Sequence, residues 1–462
     1  MNWHGKKILV LGLGDTGLSV VRWGERVGAC IRVADTRSDP PGLRELGRRH
    51  PAIDFRSGAF GSDLFDDAEL AVASPGVAVA GPACDASIAR ARAAGKEIIG
   101  DVELFARHLN AFEERQRPQV IGITGSNGKS TVTAMAGAMC RAAGARTVVA
   151  GNIGLPVLDA CAQAEHGGQP DVYVLELSSF QLETTASLQL TAAAMLNLSQ
   201  DHLDRYGTMA GYAAAKQRIF LHAQTQVLNR DDGESMAMRD ARKTVVTFGL
   251  DPARAAHDLG LGADGWLCEG AQRLMPLQEL PVAGLHNAAN ALAALALTRA
   301  LDFPAQRLCE GLRGFTGLPH RVQRAGEIGG VIFYDDSKGT NVGSTVAALN
   351  GMTVPVVLIA GGEGKGQDFA PLAAPVRGRA RAVVLIGRDA GIIEHALLQT
   401  GIPLLHAASM QEAVEKSLAQ AVAGDAVLLS PACASFDMFD NYKHRGEVFA
   451  QCVAAIDAER QR

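Results

Sequence analysis

The sequence predicts an α/β chain of three domains. Strand-length apolar runs alternate with helix-length segments throughout, glycine turns follow two of those runs, and the pattern breaks at EERQRPQ within about residues 106–118 and again at GFTGLPHR. At 462 residues with 47% hydrophobic content, the chain can fill several cores. The expected domains are 1–106, 107–317 and 318–462.

Residues 6–35 read as a strand (KKILVLG), a turn holding Gly12, Gly14 and Gly17, a helix, and a second strand (CIRVADTR) ending at Asp35. That order opens a doubly wound, Rossmann-like domain, in which the glycines admit a diphosphate and an acidic strand end accepts a ribose hydroxyl. The same backbone geometry serves a dinucleotide or another diphosphate such as a UDP-sugar. AVASPG adds a strand and turn, and KEIIGDVELFARHL a strand and helix.

The second block opens on VIGITGSNGKSTVTAM. Val120–Thr124 suit a strand and the residues after Ser130 a helix, so the turn between them aims backbone N–H groups at one point and makes an anion seat. Gly125 and Gly128 let the backbone approach phosphates, with Ser126 and Asn127 between them; Lys129 reaches terminal phosphoryl oxygens, and Ser130 or Thr131 offers a hydroxyl to Mg²⁺. Ile123 stands where the strict phosphate-loop pattern has its first glycine. Beyond the loop, DVYVLELSSFQ, NLSQDHLDRYG, AAKQRIFLHA, TQVLNRDD and TVVTFG continue the alternation, giving a central P-loop ATPase-like domain.

The third block repeats the pattern in GVIFYDDSKGTN, PVVLIAGGEGKG, RAVVLIG, IPLLHA and DAVLLSPAC, a second Rossmann-like sheet. No close repeat favours a solenoid. Net charge is −5 without a basic block, which argues against nucleic acid as the main partner. Eight scattered cysteines with no C-x-x-C read as thiols of a reducing compartment. The apolar ANALAALALTRAL falls short of the roughly 20 residues a membrane span needs and reads as a core helix, so a cytoplasmic protein with no transmembrane segment is expected.

Several side chains add chemistry. Glu176 closes a buried strand opposite the phosphate loop, a position suited to an Mg²⁺ ligand, with a helix cap in ELSSF as the plainer alternative. In QDHLD, Asp201, His202 and Asp204 can pair a metal-binding imidazole with a carboxylate. Lys216, alone, reads as an exposed helical lysine. Arg321, then Asp335, Asp336, Lys338, Thr340 and Asn341 after a strand, and Lys365 in a later strand-end loop, offer groups for ribose, carboxylate or phosphoryl binding.

In TGSNGKST, GNIGLP, LELSSFQLE, DHLDRY, GLHNAANALAA, FTGLPHR, DDSKGTNVGST, GGEGKG and LLSPACASFDMF, with LGLGDTG and VADTR at the start, the sequence resembles the Mur ligase family over essentially its whole length. The resemblance implies an amide-forming ligase of peptidoglycan precursor synthesis that consumes ATP with Mg²⁺, two ions being expected, and adds D-glutamate to UDP-N-acetylmuramoyl-L-alanine through an acyl-phosphate, as a monomer. It implies that Asp15, Thr16, Asp35, Thr36 and Arg37 contact the UDP portion and that Asn152 positions the muramoyl substrate. ATP falls to Gly125, Ser126, Asn127, Gly128, Lys129, Ser130 and Thr131, with Asn287, Arg321 and Asp336. One Mg²⁺ is implied near Ser130 and Glu176 and another near His202, with Lys216 carboxylated to a carbamate; Lys338, Thr340, Ser435 and Phe436 form the glutamate pocket. The roles of Gly339 and Glu363 are left unassigned. The competing readings are an NAD-dependent oxidoreductase, a nucleotide switch without catalysis, and a relative adding L-glutamate or another amino acid. The first leaves the second glycine loop, Glu176 and DDSK unexplained, and the switch leaves the first-block site unused.

Overall fold

The computed structural model describes residues 3–282 and 284–460. The chain forms two compact units, one mainly of residues before Phe315 and one mainly from Phe315 onward, with Ser199–Leu203 and Gln278–Asn290 joining the second. Three sheets run through them, as the alternating pattern predicts.

The first sheet has five parallel strands in the order Asp54–Ser57, Cys30–Asp35, Lys7–Leu11, Leu70–Ala73 and Ile98–Ile99. Chain order reverses on either side of Lys7–Leu11, so the glycine turn after it opens at a topological switch point. The helix Asp15–Arg26 follows, burying Leu18, Val21 and Trp23. Helix Asp101–Asn110 runs through residue 106, and the irregular break falls just after it.

The second sheet, in the same unit, has nine strands. Its parallel core runs Thr147–Gly151, Val172–Glu176, Gln119–Thr124, Gln189–Met195, His222–Asn229 and Thr244–Gly249. Gln119–Thr124 lies between Val172–Glu176 and Gln189–Met195, which puts the loop from Gly125 at this sheet's switch point too. Strands Leu259–Leu261, Trp266–Glu269 and Gln272–Pro276 extend the edge, the last two antiparallel.

The third sheet has six strands, Gln323–Ile328, Val331–Asp335, Ala426–Leu429, Val356–Gly361, Ala380–Ile386 and Leu404–His406. All pairings are parallel except that of Gln323–Ile328, an antiparallel edge strand. The alanine-rich run becomes the helix Leu285–Arg299, with Leu292, Leu295 and Leu297 fully buried. Among the described residues no helix is long and apolar enough to cross a membrane.

Candidate active site

The central loop is built as the sequence requires. Gly128 takes φ 83° and caps the helix Lys129–Ala142, a backbone position that favours glycine, and the helix N-terminus behind it faces the loop. Asn197 holds the loop from the neighbouring strand end: its Oδ1 accepts the Asn127 N–H at 2.8 Å, and its backbone carbonyl accepts the Ser126 N–H at 2.9 Å. Lys129 Nζ folds over the loop and donates to the carbonyls of Gly125 and Ser126, each at 2.8 Å. Ser130 and Thr131 are buried in the first helical turn.

Lys216, in the helix Met209–Gln217, is only 1% exposed, so the reading of an exposed lysine does not hold. Its Nζ donates to the Gly125 carbonyl at 2.8 Å, lies 3.4 Å from Thr124 Oγ1 and sits 4.8 Å from the Tyr212 ring. Two lysine ammonium groups therefore share one carbonyl oxygen.

Glu176 ends a strand whose five residues are all buried. Its Oε1 accepts from Asn152 Nδ2 at 2.8 Å, and its backbone carbonyl accepts the Asn152 N–H at 2.8 Å, so the pair expected to face metal and substrate is locked together. Oε2 is buried with no partner. The helix cap in ELSSF belongs to Ser178, whose capping box with Gln181 starts the helix Ser179–Glu183 and leaves Glu176 outside it. An unpartnered buried carboxylate oxygen fits a hard cation that seeks oxygen ligands. Among the described residues no three His, Cys, Asp or Glu side chains cluster to hold a metal ion. A cation at Glu176 would therefore also draw on hydroxyl oxygens such as Ser130 and on phosphate.

At the first sheet's switch point, Asp35 is buried and its carboxylate is engaged by its own turn. Oδ2 accepts the Leu13 N–H at 2.7 Å and Arg37 Nη2 at 2.7 Å, while Oδ1 accepts Arg37 N and Nε at 2.9 Å. Burial pushes this carboxyl up, but the Arg37 guanidinium and the two backbone N–H groups hold it below the usual range. Asp35 thus shapes the turn as well as lining it. Asp15, at the start of the first helix, and Thr36 are exposed, and Thr16 is half-buried.

In the second compact unit, Asp201 binds its neighbours from several sides. Oδ1 accepts the His202 N–H at 3.0 Å and lies 3.7 Å from Lys365 Nζ, while Oδ2 is 3.5 Å from both His202 Nε2 and Asn341 Nδ2. His202 and Lys365 both have positive φ, 55° and 53°, strain that tends to gather at functional sites. Asp336 is buried; Ser430 Oγ donates to its Oδ2 at 2.7 Å, and Arg321 is among the charges that act on it. Burial dominates and pushes its carboxyl up to about 7. Lys338 Nζ lies 3.8 Å from the Tyr442 ring centroid, and Thr340 N–H donates to the Lys338 carbonyl at 2.9 Å. Ser435 is buried, Phe436 is 69% exposed, and Asn287 is half-buried near the start of the helix Leu285–Arg299.

Sequence reasoning missed Arg445. This side chain is 1% exposed; Nε donates to Ser337 Oγ at 3.0 Å, Nη2 to the Ser337 carbonyl at 2.8 Å, and Nη1 to the carbonyls of Cys433 and Ala434 at 3.1 and 3.3 Å. It ties the loop bearing Lys338 to the loop bearing Ser435. The available signal was an arginine beside Gly446 in a long helix, where a Cβ would fall 2.5 Å from Asp335 Oδ2.

Known proteins match along the whole chain. Residues 6–100 match the Mur ligase MurD-like N-terminal domain, 123–298 the Mur ligase middle domain, and 320–433 the Mur ligase glutamate ligase domain. The chain is 56% identical to the UDP-N-acetylmuramoylalanine–D-glutamate ligase of Methylobacillus flagellatus, over 98% of this chain and 97% of that one. It is also 56% identical to the enzyme of the same name from Thiobacillus denitrificans, over 99% and 98%. The solved UDP-N-acetylmuramate-alanine ligase of Thermotoga maritima shares the fold, with a TM-score of 0.60 at 20% identity over 97% of this chain and 99% of that one.

Proposed function

The chain belongs to the Mur ligase family, and we infer that it joins D-glutamate to UDP-N-acetylmuramoyl-L-alanine in peptidoglycan precursor synthesis, at the expense of ATP. The observation that carries this reading is the meeting of Lys129 and Lys216 on Gly125, beside a strand whose final Glu176 has a free buried oxygen, in a chain more than half identical to ligases named for that reaction. The three roles divide by block: UDP-substrate binding in 1–106, ATP binding in 107–317, and closure over ATP and glutamate in 318–462. In this reading the enzyme works in the cytoplasm as a monomer.

A carboxylate and an ammonium do not condense unaided, because the carboxylate lacks a leaving group and the ammonium lacks a lone pair. The alanyl carboxylate of the UDP-substrate, positioned by Asn152, attacks the γ-phosphorus of ATP; the bond to the β–γ bridging oxygen breaks and ADP leaves. Lys129 stabilises charge on the transferring phosphoryl oxygens. The deprotonated glutamate amine then attacks the acyl-phosphate carbonyl, and phosphate departs as the amide forms. Lys338, Thr340, Ser435 and Phe436 hold the glutamate, its carboxylates meeting the cation and hydroxyls, while Asn287, Arg321 and Asp336 hold the nucleotide. Asp15, Thr16, Asp35, Thr36 and Arg37 hold the UDP end.

Ser130, Glu176, His202 and Lys216 would hold Mg²⁺, two ions in all, which supply charge neutralisation at the phosphates. Two ammonium groups on the Gly125 carbonyl repel each other; carboxylating Lys216 to a carbamate exchanges that repulsion for attraction and adds oxygen ligands. The test is isotopic. UDP-substrate labelled with ¹⁸O in its alanyl carboxylate should deliver one label to the released phosphate, and unlabelled phosphate alongside amide product would exclude the acyl-phosphate route.

A further inference from the structure

Arg205 is a buried, heavily engaged arginine of the first compact unit, and nothing in the reaction above uses it. It sits in the short helix Leu203–Tyr206 and is 7% exposed. On one side its Nε and Nη2 grip both oxygens of Glu183, at 3.0 and 2.7 Å. On the other, Nη1 donates to the Pro75 carbonyl at 2.8 Å and Nη2 reaches the Val77 carbonyl at 3.4 Å. The Phe180 ring lies 4.2 Å from the guanidinium carbon.

These partners belong to two sheets. Pro75 and Val77 follow the strand Leu70–Ala73, and Ser74 Oγ beside them donates to the Gly12 carbonyl at 3.0 Å. Gly12 opens the glycine turn whose Leu13 N–H is held by Asp35. Glu183 and Phe180 lie on the helix Ser179–Glu183, whose capping residue Ser178 comes two residues after Glu176. One planar cation thus joins the rim of the first sheet's anion turn to the helix that starts at the metal-facing strand end.

We propose that Arg205 is a positioning residue that sets the UDP-substrate turn of the first sheet against the phosphoryl-transfer side of the second. This rests on the function proposed above. The demand is geometric, since the alanyl carboxylate is carried by a substrate anchored at the first sheet while the phosphoryl group is held at the second. The guanidinium fork meets that demand, because two parallel bonds fix the Glu183 side, the remaining donors fix two carbonyls, and the stacked face fixes the plane. A lysine supplies charge without that geometry.

The experiment measures steady-state kinetics of the full chain with each substrate varied in turn, for wild type, Arg205→Ala, Arg205→Lys and Glu183→Gln. Wild-type product formation tests the underlying function, so failure there is distinct from failure of this proposal. Arg205→Ala should raise KM for the UDP-substrate about tenfold or more and lower kcat, while KM for ATP stays within about twofold, because displacement of a reacting group by about 1 Å costs up to about 100-fold. Arg205→Lys should recover less than half of that loss. Glu183→Gln, which keeps the shape but loses the bidentate charge, should fall between. If the alanine variant does not fold, the other two carry the same comparison. An unchanged KM for the UDP-substrate, a parallel rise in both KM values, or full recovery by lysine would overturn the proposal.

Discussion

Replacing Asp336 with asparagine should change how stability depends on pH. The carboxyl is buried; Ser430 donates to it, the Val322 N–H and the Arg321 charge favour ionisation, and Asp335 opposes it. Burial outweighs these influences and raises it from 3.8 to about 7. Because the folded-state value is raised, the unfolded chain ionises first as pH rises from about 4, and folded stability declines until Asp336 itself ionises near 7. The gap corresponds to about 4 kcal/mol in all, more than half of it between about pH 5 and pH 8. Asparagine mimics the protonated acid: its amide can donate to Ser430 Oγ, which passes a hydrogen bond to Thr345 Oγ1 at 3.1 Å, while its carbonyl accepts from Val322. Urea unfolding of wild type and Asp336→Asn at about pH 5 and pH 8 should show the variant gaining stability relative to wild type at the higher pH, by about 2–3 kcal/mol less any loss common to both conditions. Identical pH dependence in the two proteins would refute the reasoning.

Lys129→Ala should lower kcat by about 100-fold to 1,000-fold with the unfolding midpoint little changed, since it removes a charge aimed at the transferring phosphoryl group; assays at saturating ATP check this. Arg445→Met keeps an unbranched side chain but strands the Ser337 and Cys433 carbonyls, at about 1–3 kcal/mol for each left unpaired, while the Ala434 carbonyl keeps the Glu363 N–H, and urea unfolding should show a loss of a few kcal/mol. Lys216→Ala should depress turnover and regain part of it with added acetate, whereas Lys216→Arg should not, because guanidinium cannot form a carbamate; a fully active arginine variant would count against carboxylation.

The parts of the site legible in the sequence are those made by consecutive residues. The turn from Gly125 to Thr131, Asp35 at a strand end and Glu176 at another follow from an apolar run meeting glycines or an acid, and the folded chain places each at a sheet's switch point. What stayed hidden depends on distant partners. Lys216 looks like a surface lysine until its helix delivers Nζ to Gly125, and Arg205 is unremarkable until Pro75 and Glu183 arrive from two elements. Arg445 likewise gains meaning only from Ser337. Edge strands were lost for another reason: Gln323–Ile328 buries only Ile328 and carries Gln323, Arg324 and Glu327 exposed, so it lacks the apolar alternation that marks a strand, and Leu259–Leu261 is too short to show a period.

Ligation of D-glutamate is checked by incubating the purified protein with UDP-N-acetylmuramoyl-L-alanine, ATP, Mg²⁺ and either D- or L-glutamate, and measuring ADP, phosphate and the UDP-linked dipeptide together. All three should form in equal amounts with D-glutamate, with little dipeptide from L-glutamate. Dipeptide formed preferentially from L-glutamate, or ATP hydrolysis with no dipeptide from either, would contradict it.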